Sequence, residues 1–402
     1  MKNHFQVLIV GGGNAGISLA AQLFRKDPKL DVAILDPTDK HYYQPAWTFV
    51  GGGTFDVNDT VRPEADVMPE KATWLKEAAA AFEPDQNTVV TANGNRYSYD
   101  YLVVCPGIQL DWHKIKGLEG NLGKNGITSN YLFNMAPYTY ECLRNTKKGK
   151  AIFSNPNTPV KCGGAPQKIM YLAADYWRKH GVLGDVQVHF YSGGSVIFGV
   201  KKYADTLNKV IARYGIQPHF LHNLVEVKPE SKQAVFDVYE EGKVVRQVTE
   251  EFEMLHIAPP QSAPDFVKNS PLAVPGNPLG WVDVDKFTFQ HHRYPNIYSI
   301  GDVSSTPNAK TGAAVRKQVP VLVEQLLSQI RTGKPSEAKY TGYGSCPLIT
   351  GYGKLVLAEF DYDNNPMETF PFDQSKERWS MYMLKRWVLP WLYWNKILRG
   401  TA

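Results

Sequence analysis

Short apolar runs alternate with stretches of helical periodicity along most of the chain. The apolar run at residues 5–10 predicts a buried strand, and a helical pattern begins after the glycine-rich turn that follows it. A second apolar run, at residues 32–35, ends at Asp36. A strand, a glycine turn, a helix and a strand in this order predict a βαβ unit, and therefore an α/β fold.

The same alternation returns later in the chain. Apolar runs at residues 151–154 and 186–191, with a helical pattern at 169–179 between them, predict a second βαβ unit. Residues 225–257 alternate in the manner of an antiparallel meander. A last long helical pattern covers residues 312–330.

These patterns predict two Rossmann-like dinucleotide-binding domains and a C-terminal appendage. The first domain is expected to be interrupted by the second, because another buried strand returns at residues 296–302. The predicted limits are a split first domain (1–145 and 281–340), a second domain of degenerate nucleotide type (146–280) and a C-terminal segment (341–402).

The turn after the first strand carries the most informative local motif. It reads GGGNAG at residues 11–16, and Asp36 follows. Gly11 allows a tight turn, Gly13 lets backbone N–H groups approach a pyrophosphate, and Gly16 allows close packing of helix and strand. Asp36 can accept a hydrogen bond from a ribose hydroxyl. The alternative is a phosphate-free glycine turn in an unrelated α/β domain. The predicted dinucleotide-binding residues are Gly11, Gly13, Asn14, Ala15, Gly16 and Asp36.

Composition narrows the class of protein. The chain has 402 residues, of which 43% are hydrophobic and 21% charged, which argues against a disordered, collagen-like or coiled-coil chain. The formal charge of +5 is too small to indicate a nucleic-acid partner. No uncharged apolar run reaches the ~18 residues of a membrane-spanning helix, and the first strand begins too early for a targeting peptide. We therefore expect an intracellular protein that is soluble or bound peripherally to a membrane.

The 4 cysteines are too few for a disulfide framework. Because they form no C-x-x-C pair or Cys/His cluster, no metal site is predicted. Cys162 precedes a predicted helix and lies near Lys161 and Lys168, which predicts a depressed thiol pKa and partial thiolate at neutral pH. Cys346 lies in a Gly-Ser-Cys-Pro segment that we expect to be a loop. No role is assigned to the other two, Cys105 and Cys142.

Several motifs resemble those of one flavoprotein superfamily. The glycine turn, the run YLVVCPG that ends at Gly107 and the motif that ends at Asp302 occur in the order found in two-dinucleotide-domain flavoprotein disulfide reductases. Within that superfamily, four segments resemble the sulfide:quinone oxidoreductases of the mitochondrial-like type. These segments are 41–45, 107–112, 161–166 and 344–347. The resemblance extends over nearly the whole chain.

The resemblance implies FAD as the cofactor. In the superfamily, the aspartate that Asp302 matches binds the ribityl chain of FAD; a plain helix N-cap is the alternative. The resemblance also places Gln44 and Gly107 at the flavin, and Lys317 is expected either as an electrostatic partner of reduced flavin or as a solvated lysine. Some relatives have a third active-site cysteine where this chain reads 130–141 without one. We therefore expect FAD to be bound non-covalently.

The resemblance further implies a sulfur mechanism. Cys162 and Cys346 are expected to form a disulfide or sulfur-bridged pair beside the flavin. Hydrosulfide attacks one sulfur, which the family indicates is Cys346, and leaves it as a persulfide, while the Cys162 thiolate passes two electrons to the flavin. A quinone then takes the electrons, and a small acceptor takes the sulfur.

The second domain lacks the motif of a pyridine-nucleotide site. Residues 154–164 hold prolines and Cys162 in place of a glycine fingerprint, and the strand at 186–191 ends without Asp or Glu. NADH is therefore not the expected electron donor. Two other functions remain open: a type 2 NADH:quinone oxidoreductase, and a flavin-binding regulatory protein with structural cysteines.

The end of the chain has an unusual composition. Residues 378–398 combine tryptophans with lysines and arginines and hold no acid, and Pro390 is expected to kink or divide the segment. Trp387, Trp391 and Trp394 recur at helical spacing, which is typical of a segment that lies on a membrane surface. Packing on the protein's own body and a homodimer interface are the alternatives. The expected location is the cytoplasmic face of a bacterial inner membrane, with the mitochondrial inner membrane as the alternative.

Overall fold

The structure of the protein is a computed structural model that describes residues 2–307 and 309–402. The strands are β1 (His4–Val10), β2 (Val32–Leu35), β3 (Lys40–Tyr42), β4 (Val61–Pro63), β5 (Thr73–Leu75), β6 (Ala79–Glu83), β7 (Thr88–Thr91), β8 (Arg96–Val104), β9 (Gln109–Leu110), β10 (Ile127–Thr128), β11 (Gly149–Asn155), β12 (Val186–Ser192), β13 (Gln217–Phe220), β14 (His222–Lys228), β15 (Gln233–Glu240), β16 (Lys243–Glu251), β17 (Met254–His256), β18 (Gln261–Ser262), β19 (Ile297–Ser299), β20 (Gly344–Gly351) and β21 (Lys354–Phe360). The helices are α1 (Asn14–Lys26), α2 (Trp47–Gly51), α3 (Glu64–Val67), α4 (Ala136–Asn145), α5 (Ala165–Lys179), α6 (Lys201–Tyr214), α7 (Asp265–Lys268), α8 (Gly312–Thr332), α9 (Trp379–Met383) and α10 (Leu389–Leu392).

The larger sheet brings the ends of five parallel strands to one edge. Its order is β5-β2-β1-β8-β7-β6 with β19 beside β8, and β5, β2, β1, β8 and β19 run parallel. Helices α1 and α8 pack on one face, where Leu19, Val319 and Leu326 are fully buried. The residues that follow these parallel strands therefore meet at a shared edge. Since β19 joins strands from the first hundred residues, this sheet is split in sequence; the limits of the two domains stay a prediction.

The second sheet is parallel in the order β10-β17-β11-β12-β13, and α5 connects β11 to β12. The predicted meander over residues 225–257 is right for β14, β15 and β16, which pair antiparallel. It is wrong at its end, where β17 joins the parallel sheet between β10 and β11. The reason is burial, because Met254 and Leu255 are fully enclosed there.

The segment around Cys346 is a strand, and the expectation of a loop is wrong. Cys346 lies in β20, which pairs antiparallel with β21 and places Cys346 opposite Ala358. Leu348 and Ile349 of the same strand are buried in the large core that α5 and the second sheet share. Because these residues are buried, Cys346 is held in the antiparallel pair of β20 and β21.

The C-terminal segment stays helical from residue 379 to residue 397, with π-helical turns at Leu384–Val388 and Tyr393–Ile397. Of the expected kink or division at Pro390, the division does not occur, since Pro390 lies in the first turn of α10 and a π turn precedes it; the kink stays a prediction. Trp394 is 4% exposed and packs against His41, so it does not belong to an exposed stripe. The exposed tryptophans of the segment are Trp379, Trp387 and Trp391. Among the described residues, no helix is both long and apolar enough to cross a bilayer.

A buried chain of polar side chains joins this segment to the glycine turn. The Tyr393 hydroxyl lies 2.7 Å from His41 Nε2, and His41 Nδ1 lies 3.3 Å from Glu64 Oε2. All three side chains are buried, and burial raises the pKa of Glu64. Glu64 faces Gly12, where an added Cβ would lie 3.1 Å from Glu64 Oε1. The Glu64–His41–Tyr393 chain therefore runs from the C-terminal segment to the predicted dinucleotide site.

Candidate active site

Cys162 and Cys346 meet in the structure, although they are 184 positions apart in sequence. Their Sγ atoms are 3.9 Å apart, against ~2.05 Å in a disulfide, so the two thiols are in contact without a bond. Cys162 has a left-handed backbone with φ 55°, and its N–H donates to the carbonyl oxygen of Lys310 at 2.7 Å. A non-glycine residue stays in that conformation because its surroundings hold it. The loop thus fixes the direction in which Cys162 points.

Two buried lysines accompany the pair. Lys168 of α5 is 1% exposed and donates from Nζ to Cys162 Sγ at 2.9 Å. Lys385 of the C-terminal segment is 5% exposed and donates from Nζ to the carbonyl oxygen of Pro45 at 3.4 Å. The hydrogen bond from Cys346 and the charges of the two lysines hold the pKa of Cys162 well below its usual range, although burial opposes them. The same hydrogen bond and burial raise the pKa of Cys346, so the proton of the pair resides on Cys346.

The two lysines have different protonation behaviour. The charges of the cysteines raise the pKa of Lys168 in spite of its burial. Burial and the nearby charge of Lys168 lower the pKa of Lys385 to about 7. The site therefore contains one fixed cation and one amine that titrates near neutrality.

Sequence reasoning missed Lys385, because the cations of its segment were assigned to a membrane surface. A signal was present: Lys385 follows the buried Met381 by four residues, a spacing that places both on one helical face. Sequence reasoning also placed Lys161 beside Cys162. In the structure, Lys161 Nζ instead donates to Gln44 Oε1 and lies 6.0 Å from the ring centre of Trp47.

The glycine turn fits a dinucleotide. A Cβ on Gly11, which has φ 110°, would lie 2.5 Å from the carbonyl oxygen of Cys105, and one on Gly16 would lie 1.9 Å from that of Gly11. At Gly13 no atom would lie within 4 Å, which leaves space in front of α1. Gly13 is the N-cap of α1 and offers no side chain, so the first N–H groups of the helix stay available to an anion. The turn has the shape that the three predicted glycine roles require.

Asp36 lies beside this turn, at the end of β2. Its Oδ2 accepts from the N–H of Gly12 at 2.6 Å, and its Oδ1 accepts from the N–H of Thr38 at 2.8 Å. These bonds fix the carboxylate next to the space at Gly13. Its contact with a ribose stays a prediction.

The N-terminus of α8 approaches the N-terminus of α1. A Cβ on Gly312 would lie 3.3 Å from Asn14 Nδ2, and one on Gly301 would lie 3.4 Å from Ala15 Cβ. Asn14 and Ala15 are therefore placed where the two predicted flavin segments of the sequence come together.

Asp302 lies in a short turn after β19 and is half-buried, and burial raises its pKa. The alternative of a plain helix cap is wrong, because Thr311 caps α8 and its side chain accepts from the N–H of Ala314 at 3.2 Å. Lys310 donates from Nζ to the backbone oxygen of Asp302. Since Lys310 also accepts from Cys162 through its own backbone oxygen, Asp302 and the cysteine pair lie in one connected site.

The remaining predicted residues are placed less tightly. Gly107 has φ 80°, and no atom lies within 4 Å of a Cβ built there. Gln44 is exposed at the start of a short turn, where it accepts from Lys161. Lys317 is exposed on α8, with Nζ 5.9 Å from the ring centre of Tyr343. Contact of these three residues with a flavin stays a prediction.

The region without the third cysteine also faces the site. Tyr131 donates from its hydroxyl to the backbone oxygen of Lys161 at 3.4 Å. Burial, together with the charges at Cys162 and Cys346, raises the pKa of Tyr131 well above its usual range. Both amide atoms of the neighbouring Asn130 are buried and have no hydrogen-bond partner within residues 2–307 and 309–402. Nothing in the sequence indicated either side chain.

The other two cysteines are buried away from the pair. Burial raises the pKa of Cys105 and raises that of Cys142 to about 11. Both are therefore protonated at neutral pH and have the environment of small core residues.

Comparison with known proteins assigns the chain to a family. Residues 5–154 match the family described as pyridine nucleotide-disulphide oxidoreductase. The chain is 46% identical over its whole length to the mitochondrial sulfide:quinone oxidoreductase of Dictyostelium discoideum, 87% of which it covers. It is 45% identical, over 99% of its length and 87% of the relative, to that of Mus musculus. The chain belongs to the sulfide:quinone oxidoreductase family.

A solved structure shows the same fold. The sulfide:quinone oxidoreductase of Aquifex aeolicus superposes with a TM-score of 0.81 at 20% identity, covering 100% of this chain and 92% of that one. The resemblance stated from the sequence motifs is confirmed, and so is the α/β fold with a dinucleotide-binding domain. The cofactor of a sulfide:quinone oxidoreductase in this superfamily is a flavin.

Proposed function

We propose that this chain oxidises hydrogen sulfide and passes the two electrons through a flavin to a quinone. The observation that carries the proposal is the Cys162–Cys346 pair, with its sulfur atoms 3.9 Å apart and Lys168 Nζ 2.9 Å from Cys162. Such a pair can exchange a sulfur atom and release a thiolate. Membership of the sulfide:quinone oxidoreductase family supports this function over that of a type 2 NADH:quinone oxidoreductase.

The flavin that we propose is FAD, held without a covalent link. Residues 11–16 would hold its pyrophosphate, Asp36 a ribose and Asp302 its ribityl chain, since these groups line the shared strand edge. When bound, the flavin accepts two electrons from the cysteine pair and passes them to the quinone. A non-covalent link is supported by the two spare cysteines, which are buried and protonated.

The sulfur step uses the different chemistry of the two cysteines. In the oxidised pair, hydrosulfide attacks Cys346 Sγ and the bond to Cys162 breaks; Cys346 becomes a persulfide and Cys162 leaves as a thiolate. Lys168 stabilises that thiolate, because its Nζ donates directly to the sulfur. Lys385, with a pKa of about 7, is suited to accept the proton of the persulfide. A small acceptor then takes the sulfur atom.

The second domain supports sulfide, and not NADH, as the electron donor. A Cβ on Gly193 would lie 2.5 Å from the backbone nitrogen of Asn157, whose N–H donates to Asn223 Oδ1 at 3.1 Å. The turn before Cys162 therefore packs on the end of β12. It also uses an N–H group of its own at the place where a nucleotide phosphate would bind.

We place the protein at a membrane surface, where quinones dissolve. Exposed Trp387, Val388 and Trp391 offer an apolar face to lipid. Fewer cations face the membrane than the sequence indicated, because Lys385 is buried at the cysteines and Arg399 donates to the backbone oxygen of Asp66 at 2.9 Å. Several relatives carry mitochondrial names, which favours the mitochondrial inner membrane over a bacterial one. The sulfur acceptor and a homodimer stay predictions.

A spectral titration tests the function. Sulfide added without oxygen to the purified holoenzyme should bleach the flavin absorbance, and a soluble quinone analogue should restore it. NADH at the same concentration should leave the flavin oxidised. Bleaching by NADH and not by sulfide would identify a type 2 NADH:quinone oxidoreductase. No bleaching by either compound would favour a regulatory flavoprotein.

A further inference from the structure

A cavity that is open to solvent lies between the C-terminal segment and the loop after α2. Its volume is about 590 Å³, within the range of small-molecule sites. Residues 53–56 and Asp59 form one wall, and Tyr382, Arg386 and Pro390 form the other. Trp387, at the rim, is 60% exposed.

Arg386 brings a positive charge to this cavity. Its guanidinium lies 5.4 Å from the ring centre of Phe55 and 4.7 Å from that of Trp387. Arg386 lines the cavity, and no carboxylate pairs with it among the ion pairs of the described residues. A guanidinium in this position favours a ligand with an anionic oxygen.

The opposite wall carries negative charge. Asp56 and Asp59 line the same cavity, and neither is within 4.0 Å of Arg386 among the ion pairs of the described residues. Asp56 accepts from the N–H of Asn58 at 2.8 Å, which keeps its carboxylate on the loop. The cavity thus presents a cation and two carboxylates on facing sides, an arrangement that complements a zwitterion.

The residues at the rim of the cavity indicate that a membrane is the source of such a zwitterion. Trp387, Val388 and Trp391 are about half exposed or more and adjoin the cavity. Tryptophans that face lipid settle at headgroup depth. The cavity is therefore at the level of lipid headgroups when these side chains contact a bilayer.

We propose that this cavity binds the headgroup of a zwitterionic phospholipid. The phosphodiester binds Arg386, the ammonium lies against Asp56 and Asp59, and the acyl chains leave past Trp387. A quinone ring offers no positive charge to the carboxylates, and an anionic headgroup would be repelled by them. The inference rests on the membrane contact proposed above and specifies the lipid class.

Soluble short-chain lipids test the proposal by calorimetry on the holoenzyme. Dihexanoyl phosphatidylethanolamine, below its micelle concentration, should bind; dihexanoyl phosphatidylglycerol, dihexanoylglycerol and inorganic phosphate should bind at least about tenfold more weakly. Arg386→Gln and Asp59→Asn should each weaken phosphatidylethanolamine binding by about tenfold. Lys396→Gln, which removes a cation of the same segment outside the cavity, should leave it unchanged.

Each other outcome overturns the proposal. Equal binding of phosphatidylglycerol or phosphate would show a plain anion site, and no effect of Arg386→Gln would place the lipid elsewhere. Displacement of the lipid by a soluble quinone analogue, with a raised KM for quinone in Arg386→Gln, would show a quinone pocket. Sedimentation with phosphatidylcholine vesicles tests membrane contact separately from headgroup binding in the cavity. If a Trp387→Ala/Trp391→Ala variant loses vesicle binding while the headgroup titration fails, the membrane contact stands and the headgroup site does not.

Discussion

The turn between β1 and α1 and the turn between β11 and α5 occupy similar positions in their sheets but differ in chemistry. In the first, β1 leads through the glycine turn into α1 and leaves open space in front of the helix N-terminus. In the second, β11 leads into α5, and Cys162 occupies the turn. The fourth residue of the helix is Ile17 in α1 and Lys168 in α5. The N-terminus of a helix favours an anion in either case. The same architecture is therefore suited to a ligand's phosphate in the first turn, as we propose, and to the chain's own thiolate in the second.

The largest effect is expected from removing the sulfur of the second turn. Cys162→Ser should slow the reduction of the flavin by sulfide at least about 1000-fold, because no thiolate can leave. Stopped-flow absorbance of the holoenzyme measures this rate. Cys142→Ser, which changes a buried cysteine of α4, is the matched control and should react as the unchanged protein does. A nearly normal rate in Cys162→Ser would contradict a sulfur role for the second turn.

A matched pair of glycine substitutions sharpens the comparison. Gly16→Ala places a Cβ 1.9 Å from a backbone oxygen, and should cost about 1–3 kcal/mol of folding free energy and most of the bound flavin. In Gly163→Ala, in the second turn, the added Cβ meets no atom within 4 Å. This variant should keep its folding free energy and its bound flavin. Denaturant unfolding and the ratio of flavin to protein in the purified variants measure the effects. Equal flavin content in the two variants would mean that the first turn does not hold the cofactor.

The smallest expected effect concerns the charge beside Cys162. Its pKa is held low, so the thiolate persists as the pH falls below the ordinary thiol range. In Lys168→Met the pKa should rise, and the thiolate fraction at neutral pH should fall about tenfold for each pKa unit. The alkylation rate of the reduced protein, followed against pH, measures the shift. Lys179→Met, at the exposed end of the same helix, is the control; an unshifted profile in Lys168→Met would assign the low pKa to Cys346 and Lys385.

The sequence predicted the first turn well and the second only in part. Gly11, Gly16 and Asp36 follow a fixed spacing in the sequence, so a motif predicts them, although Gly11 meets Cys105 and Asp36 accepts from Gly12 across longer stretches of chain. The contact of Cys162 with a residue 184 positions away is set by how β20 packs on α5, and it followed only from a family resemblance. Residues whose surroundings come from distant elements escape local patterns.

Two side chains illustrate this limit. Lys385 lies in a segment whose composition is typical of a membrane surface. Only the docking of its helix buries it beside the cysteines. Cys346 was expected in a loop because glycine and proline flank it, whereas the burial of Leu348 and its neighbours makes the segment a strand. In both cases tertiary burial outweighs local preference.

The Glu64–His41–Tyr393 chain connects two sites that we have proposed, one for lipid and one for the flavin. One end lies on the segment that we place at the bilayer, and the other end lies against Gly12 of the glycine turn. We expect flavin binding at the turn to favour docking of the segment through these contacts. Reciprocity then requires attachment to lipid to raise the affinity for the flavin by the same factor by which the flavin strengthens attachment.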